Sequence, residues 1–294
     1  MVLTALWVYR DCRTRQEVFA QAVHGPLGVP KASQFAHRVV RVPDRNATFW
    51  DFDSEKYWDF VDDPEVFAMV GRGVMKLTGT STPQRAWQYI MSTYQTGDQI
   101  AVKINGNNFD YRCLAHLNPP PQVAKAVARG LTRVGVPQNK IVFYEAGGRD
   151  DHGFLPYYIN AIRQDFPNVR FASTRDSDQD FGAEGTDYAY DDPSAKVEYT
   201  GSLSSEWTYL AEVLVQSQHL INVSLFRDHH WGGEDLVTGA LKNHYGSIQG
   251  RPSHDFQKVG DNNPIADVNH NPHIKDKTRL FITEGLFGTY HGGP

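Results

Sequence analysis

The sequence predicts an α/β fold, a mostly parallel or mixed sheet with flanking helices, preceded by an N-terminal helical and aromatic extension. Two observations carry this. From Gln99 the chain reads strand, helix, strand, the order that demands a right-handed crossover between parallel neighbours. Later, the apolar run Leu220-Ile221-Asn222-Val223-Ser224-Leu225-Phe226 opens into a polar, glycine-rich loop from Arg227 to Gly233, and at such strand ends α/β proteins place their chemistry. The division that follows is an extension over residues 1–95, packed on an α/β core over 96–294.

The elements follow in chain order. Thr14 is placed to cap a short helix from Arg15 to Val23, ended by His24-Gly25-Pro26. Val39 to Val42 alternates weakly, as a strand does. From Phe49 to Phe60 aromatic and acidic residues alternate; these rings read first as packing for an N-terminal lobe and second as an aromatic surface. Asp63-Pro64-Glu65 starts a helix, with Asp63 as cap and Val66, Met69, Val70, Val74 and Leu77 at helical spacing before Gly79. Thr82-Pro83 opens a second, through Ala86, Trp87, Ile90 and Met91.

Ile100 to Ile104 is then a strand, Pro121 to Leu131 a helix closed by Gly135, and Lys140 to Tyr144 a strand. Gly153 to Phe166 and Val169 to Ala172 repeat the pattern. Residues 174–195, rich in Asp, Gly, Ser and Tyr, read as a long surface excursion. Trp207 to Val215 is core-like, Leu236 to Tyr245 is compatible with a helix, 255–277 is polar loop, and Thr278 to Thr283 is a last strand.

Bulk properties narrow the function classes. The chain has 294 residues, 40% hydrophobic and 21% charged, with a net charge of −5, long enough for a large core in one domain or two. The acidic balance, with no basic block, argues against a nucleic-acid partner. No apolar run approaches a membrane span. Two cysteines, Cys12 and Cys113, do not suffice for an iron–sulfur cluster, so none is expected. The first residues lack the basic start of a secretory signal. The expected location is periplasmic or extracellular if an export signal has been removed, and otherwise cytoplasmic.

Three stretches carry candidate chemistry. Lys103-Ile104-Asn105-Gly106-Asn107-Asn108 ends a predicted strand; Lys103 offers a cation and Asn105 and Asn107 neutral donors, a set suited to an anionic or carbonyl-bearing ligand. The competing reading is turn chemistry alone, although a lysine inside an apolar strand still needs a partner. Glu145-Ala146-Gly147-Gly148-Arg149-Asp150-Asp151-His152 ends the next strand. There Gly147 and Gly148 let backbone amides approach a ligand, without the spacing of a phosphate-binding or dinucleotide-binding loop.

The third stretch runs from Arg227 to His254. Its histidines do not form a metal motif by spacing, since His229 and His230 point to opposite faces of a strand. A site assembled from Asp228, His230, His244 and His254 would nonetheless suit a transition metal. On a helix, Thr238, Lys242 and Tyr245 share one face, which makes Lys242 a base or an anion clamp, with Asn243 beside it. The ordinary alternative is a snorkelling surface lysine.

Together these stretches resemble one family, the bacterial and archaeal domain of unknown function 362. The resemblance rests on Val102-Lys103-Ile104-Asn105, on the helix from Pro121 to Gly135, on the histidine loop, and above all on Thr238-Gly239 through Lys242-Asn243 to Gly246. His254, the strand Thr278–Ile282 and Gly292-Gly293-Pro294 extend it. Gly73-Val74-Met75 and Leu77 to Thr82 look like the subgroup exported with a twin-arginine signal. The resemblance implies an α/β fold and no settled reaction. Some relatives carry ferredoxin-type cysteine clusters, absent here. Relatives usually continue past the glycine-proline, so the chain is expected to be truncated or completed by a second chain, or to form a homo-oligomer. A weaker likeness, of pattern only, is to lactate-racemase-like isomerases.

Two function classes stay open on these residues. One is an enzyme binding a small anionic or carbonyl ligand at strand ends, with or without a metal. In it Lys103 and Lys242 hold negative charge, Asn105 and Asn243 orient the ligand, and His230 with His244 or His254 moves protons or binds metal. The other is a non-catalytic exported protein whose aromatic lobe and 174–195 excursion meet a partner.

Overall fold

The computed structural model describes the backbone of residues 2–7, and residues 38–51, 53–54, 56–106, 118–147, 154, 156–226, 239–250 and 263–287. Its centre is an eight-stranded sheet. The strands are β1 (Val2–Trp7), β2 (Val39–Val40), β3 (Ile100–Lys103), β4 (Ile141–Glu145), β5 (Arg170–Ser173), β6 (Glu184–Gly185), β9 (His219–Leu225) and β10 (Thr278–Gly285), in the order β2-β1-β10-β9-β3-β4-β5-β6. Every pairing in it is parallel. A short antiparallel pair, β7 (Lys196–Glu198) with β8 (Trp207–Tyr209), lies outside it.

A parallel sheet must be covered on both faces, and its strands are correspondingly apolar. Ile100, Val102, Ile141, Phe143, Ile221, Val223, Leu280 and Ile282 point into one core. That core is roofed by helices α1 (Asp63–Thr78), α2 (Pro83–Ile90), α3 (Pro121–Arg133) and α4 (Pro156–Asp165). The alternate residues Ala101, Val142, Tyr144 and Leu220 point into a second core. It is covered by the β7–β8 pair and by α5 (Glu212–Gln216), α6 (Pro264–His270) and α7 (Pro272–Lys275).

Local signals set most element ends. Helix α1 is capped one residue earlier than the sequence suggests: Asp62, not Asp63, accepts the Glu65 N–H at 2.7 Å. Pro64 then falls in the first turn, where its missing donor costs nothing. Gly79 closes the helix at φ 69°, a left-handed conformation that favours glycine. Thr82 caps α2 as its sequence predicts, accepting from the Arg85 N–H at 3.3 Å.

Some elements add to the sequence reading, some depart from it, and the aromatic segment agrees with it. The first residues make strand β1, inside the sheet between β2 and β10, so the N-terminal segment and the core share one sheet. The 174–195 excursion contains the short edge strand β6. The polar stretch before β10 holds α6 and α7, capped by Asn263 and Asn271. In the aromatic segment Tyr57 and Trp58 are buried, and Trp50 and Tyr57 each meet Phe287 edge-to-face, so these rings mainly pack against the body. The helix proposed at Arg15–Val23 lies outside the described residues. Among the described residues no helix is long and apolar enough to cross a membrane.

Candidate functional site

Strand order locates a site before any side chain is considered. After β3 the chain moves outward to β4, β5 and β6. It then returns to place β9 on the other side of β3. Loops leaving β3 and β9 therefore diverge, and the crevice between their carboxyl ends is where open α/β sheets take ligands. Lys103 at the end of β3 pairs in register with Asn222 in β9, at this junction.

Lys103 is fully buried and ion-paired. Its ammonium donates to Glu145 Oε2 at 2.9 Å, to the carbonyl of Ile104, and at 3.4 Å to Asn243 Oδ1. It lies 5.7 Å from the centroid of the Tyr144 ring, within reach of a cation–π attraction. Glu145, at the end of β4 and 1% exposed, also accepts from the Gly106 N–H at 2.7 Å. A buried lysine is tolerable only when its charge is met and its protons have acceptors; here the acid comes from the neighbouring strand. The charge of Lys103 is met inside the protein, where the pair ties β3 to β4.

The Thr238–Gly246 segment enters from the other side. From Lys242 to Ser247 it forms a 3₁₀ turn with a kink at Gly246, not the α-helix that its spacing suggests. Asn243 donates to Asn222 Oδ1 at 2.8 Å and to the Val223 carbonyl at 3.1 Å. Asn222 donates in turn to the Ala240 carbonyl at 2.8 Å and to His244 Nε2 at 2.9 Å. The other ring nitrogen of His244 lies 3.1 Å from Ser247 Oγ, itself 2.9 Å from the Tyr144 hydroxyl. Because the Asn222 amide nitrogen only donates, His244 Nε2 accepts and Nδ1 carries the proton. Full burial, and next the nearby Lys103 charge, push the His244 pKa down to about 3, so the imidazole is neutral.

Gly246 is the closest contact in this knot. A Cβ there would stand 2.1 Å from Glu145 Oε1 and 2.6 Å from Lys103 Nζ. Its carbonyl accepts the Ala146 N–H at 2.8 Å, so the turn is pinned to the end of β4 through backbone as well. Only glycine lets backbone lie directly against the ion pair.

The structure thus brings Lys103, Asn243 and His244 into one buried network. Asn105 lies half-buried just past β3, and Gly147 is buried just past β4. Lys242 is half-buried, and its ammonium nitrogen is shielded from solvent. Asn107, Gly148, Asp228, His230, Thr238 and His254 lie outside the described residues. Among the described residues no three histidine, cysteine, aspartate or glutamate side chains gather as a set of metal ligands. Asn222, Tyr144 and Ser247 belong to the network without having been singled out, whereas Glu145 opened the second candidate stretch. Asn222 carried a readable signal, an amide inside an otherwise apolar strand, which must find a partner once buried.

A family profile described as Domain of unknown function (DUF362) matches residues 100–294. No curated protein and no solved structure matches the chain.

Proposed function

We propose a function on one premise: the chain belongs to the family described as domain of unknown function 362. In our reading it binds a small anionic or carbonyl-bearing ligand in the crevice at the carboxyl ends of β3, β4 and β9. The observation that carries this is the position of Lys242. Its ammonium is kept from solvent at that edge, next to Asn243, which Asn222 and Lys103 hold in place.

A desolvated ammonium attracts an anion or a developing oxyanion more strongly than a hydrated one does. In this reading Lys242 meets the ligand's negative charge. Asn105 and the backbone around Gly147 orient it. Lys103, Glu145 and Asn243 are positioning residues, since their bonds close on one another. His244 links the turn to Asn222 and Ser247, so it is left out of any metal set. A metal-assisted form of the reading rests on Asp228, His230 and His254, and elemental analysis of the protein and of His230→Ala separates it from the metal-free form. The narrower placement in the twin-arginine subgroup rests on residues 73–82, and fractionation of expressing cells tests it.

Calorimetric titration with acetate, pyruvate and inorganic phosphate tests the reading. At least one should bind saturably to the wild-type protein, and Lys242→Met should weaken that binding about tenfold or more, about 1.4 kcal/mol. If none binds, or if Lys242→Met binds equally well, the site is misassigned.

A further inference from the structure

On the helical side of the molecule, away from the carboxyl edge of the sheet, α1, α2 and α3 enclose a groove of about 350 Å³. Drug-sized ligands occupy pockets of about 300–1,000 Å³, so this groove is at the small end of that range. Its walls are apolar, with Phe67 and Met75 from α1 and Pro83 and Trp87 from α2. Its rim is cationic, with Arg129 and Arg133 from α3 and Arg72 from α1.

The groove exists because small residues stand where helices would otherwise close on one another. Gly130 of α3 lies under the Trp87 indole, and a Cβ there would come within 2.1 Å of Trp87 Cε2. Gly71 of α1 faces the Pro83 ring, 3.4 Å from where a Cβ would sit. Ala68, Val70 and Ala126 complete the lining.

The three arginines differ. Arg72 is neutralised by Asp44 and Glu65, both at 2.8 Å. Arg129 and Arg133 have no acidic partner among the described residues. They are four residues apart in a helix and so share a face. The Arg129 guanidinium lies 3.7 Å from the centroid of Phe67, a placement that fixes its plane by stacking and leaves its N–H edge available. A cation in the last turn of α3 also suits the helix dipole. The dipole explains Arg133, but neither the unpaired Arg129 stacked on the wall nor the open apolar space beneath the two.

We propose that this groove binds a small amphipathic carboxylate, with its apolar body against Phe67, Met75 and Trp87 and its carboxylate between Arg129 and Arg133. Charge complementarity selects the occupant. A chain with a net charge of −5 here places two unneutralised guanidiniums over an apolar surface, a pairing that a neutral apolar ligand would leave unused. This site is separate from the strand-end crevice and stands or falls independently of it.

Decanoate below its micellar concentration is the test ligand, and decanol is the neutral control of similar apolar body. Calorimetry and the emission of the tryptophans, one of which lines the groove, are followed together. Saturable binding of decanoate is expected, weakened about tenfold in Arg133→Met and further in Arg129→Met/Arg133→Met, with decanol binding far more weakly. Both replaced side chains reach the rim, and circular dichroism confirms that the variants stay folded. The proposal is overturned by the absence of saturable decanoate binding, by decanol binding as tightly as decanoate, or by unchanged affinity in the folded double variant.

Discussion

Single residues decide how the carboxyl edge is built. Lys103, Glu145 and Gly246 come from three separate stretches, and each makes sense only beside the other two. Gly246→Ala would push a methyl group into the ion pair, against an oxygen that a Cβ would meet at 2.1 Å. Separating or exposing a buried pair typically destabilises by about 3–5 kcal/mol. Gly246→Ala should therefore lower the unfolding free energy by roughly 2–5 kcal/mol in urea, far beyond an ordinary glycine-to-alanine change. A loss under about 0.5 kcal/mol, the range of an inconsequential surface change, would show that the contact is not made.

His244 adds a pH dependence at the same scale. Burial, and then the Lys103 charge, hold its pKa down at about 3, whereas an unfolded histidine titrates near about 6.5. Between these values the unfolded chain binds a proton that the folded imidazole refuses. The contribution of His244 is thus fully present above about pH 6.5 and is lost as the pH falls toward 3, with a slope of up to about 1.4 kcal/mol per pH unit. Nitrogen-detected NMR at pH 5 should show this imidazole neutral with the proton on Nδ1. A protonated ring at that pH would mean that the Asn222 and Ser247 contacts are not those of the folded state.

At the scale of elements, the usual rules hold until another element intrudes. Helix α3 carries Gly130 three residues before its end, where alanine would ordinarily stabilise a helix by about 0.5–1 kcal/mol. Here the added methyl would overlap the Trp87 ring, which is 3% exposed and held by α2. Gly130→Ala should accordingly destabilise, by about 1–3 kcal/mol as overpacking does, and should shift the tryptophan emission. A raised melting temperature would show that α2 moves aside freely. The turn from Lys242 to Ser247 teaches the same lesson. Its spacing is compatible with an α-helix, yet the bonds from Asn243 and His244 to β9 draw it into a 3₁₀ turn.

For the whole molecule, the sheet order matters more than any one strand. The switch between β3 and β9 opens the crevice, and β1 closes one side of β10 through the register Val2↔Phe281 to Trp7↔Gly285. A chain starting at residue 96 would leave the β10 edge unpaired, a template for intermolecular pairing. That fragment is expected to elute from a sizing column as aggregates, whereas the full chain gives a discrete species. A monodisperse, cooperatively unfolding fragment would show that β1 is dispensable to the sheet.

Much of this architecture was legible in the chain itself. Periodicity and caps placed α1, α2, α3, β3, β4, β5, β9 and β10 within a few residues, because apolar spacing and helix-capping chemistry are local. The family, too, was readable from the lysine–asparagine stretches. Strand β1 was not, since six residues with no turn signal say nothing of the neighbour they will join. Helices α6 and α7 were hidden in a polar segment, each about one or two turns long and resting on a capping asparagine more than on any apolar stripe. The candidate site divides the same way. Lys103 and Asn243 stood out by residue type, but that Lys103 pairs with Glu145, that Asn222 bridges Asn243 to His244, and that Gly246 must lack a side chain are facts about groups far apart in sequence. Local chemistry acts between near neighbours along the chain. A buried charge finds its partner through the sheet, and only the folded arrangement decides which one it is.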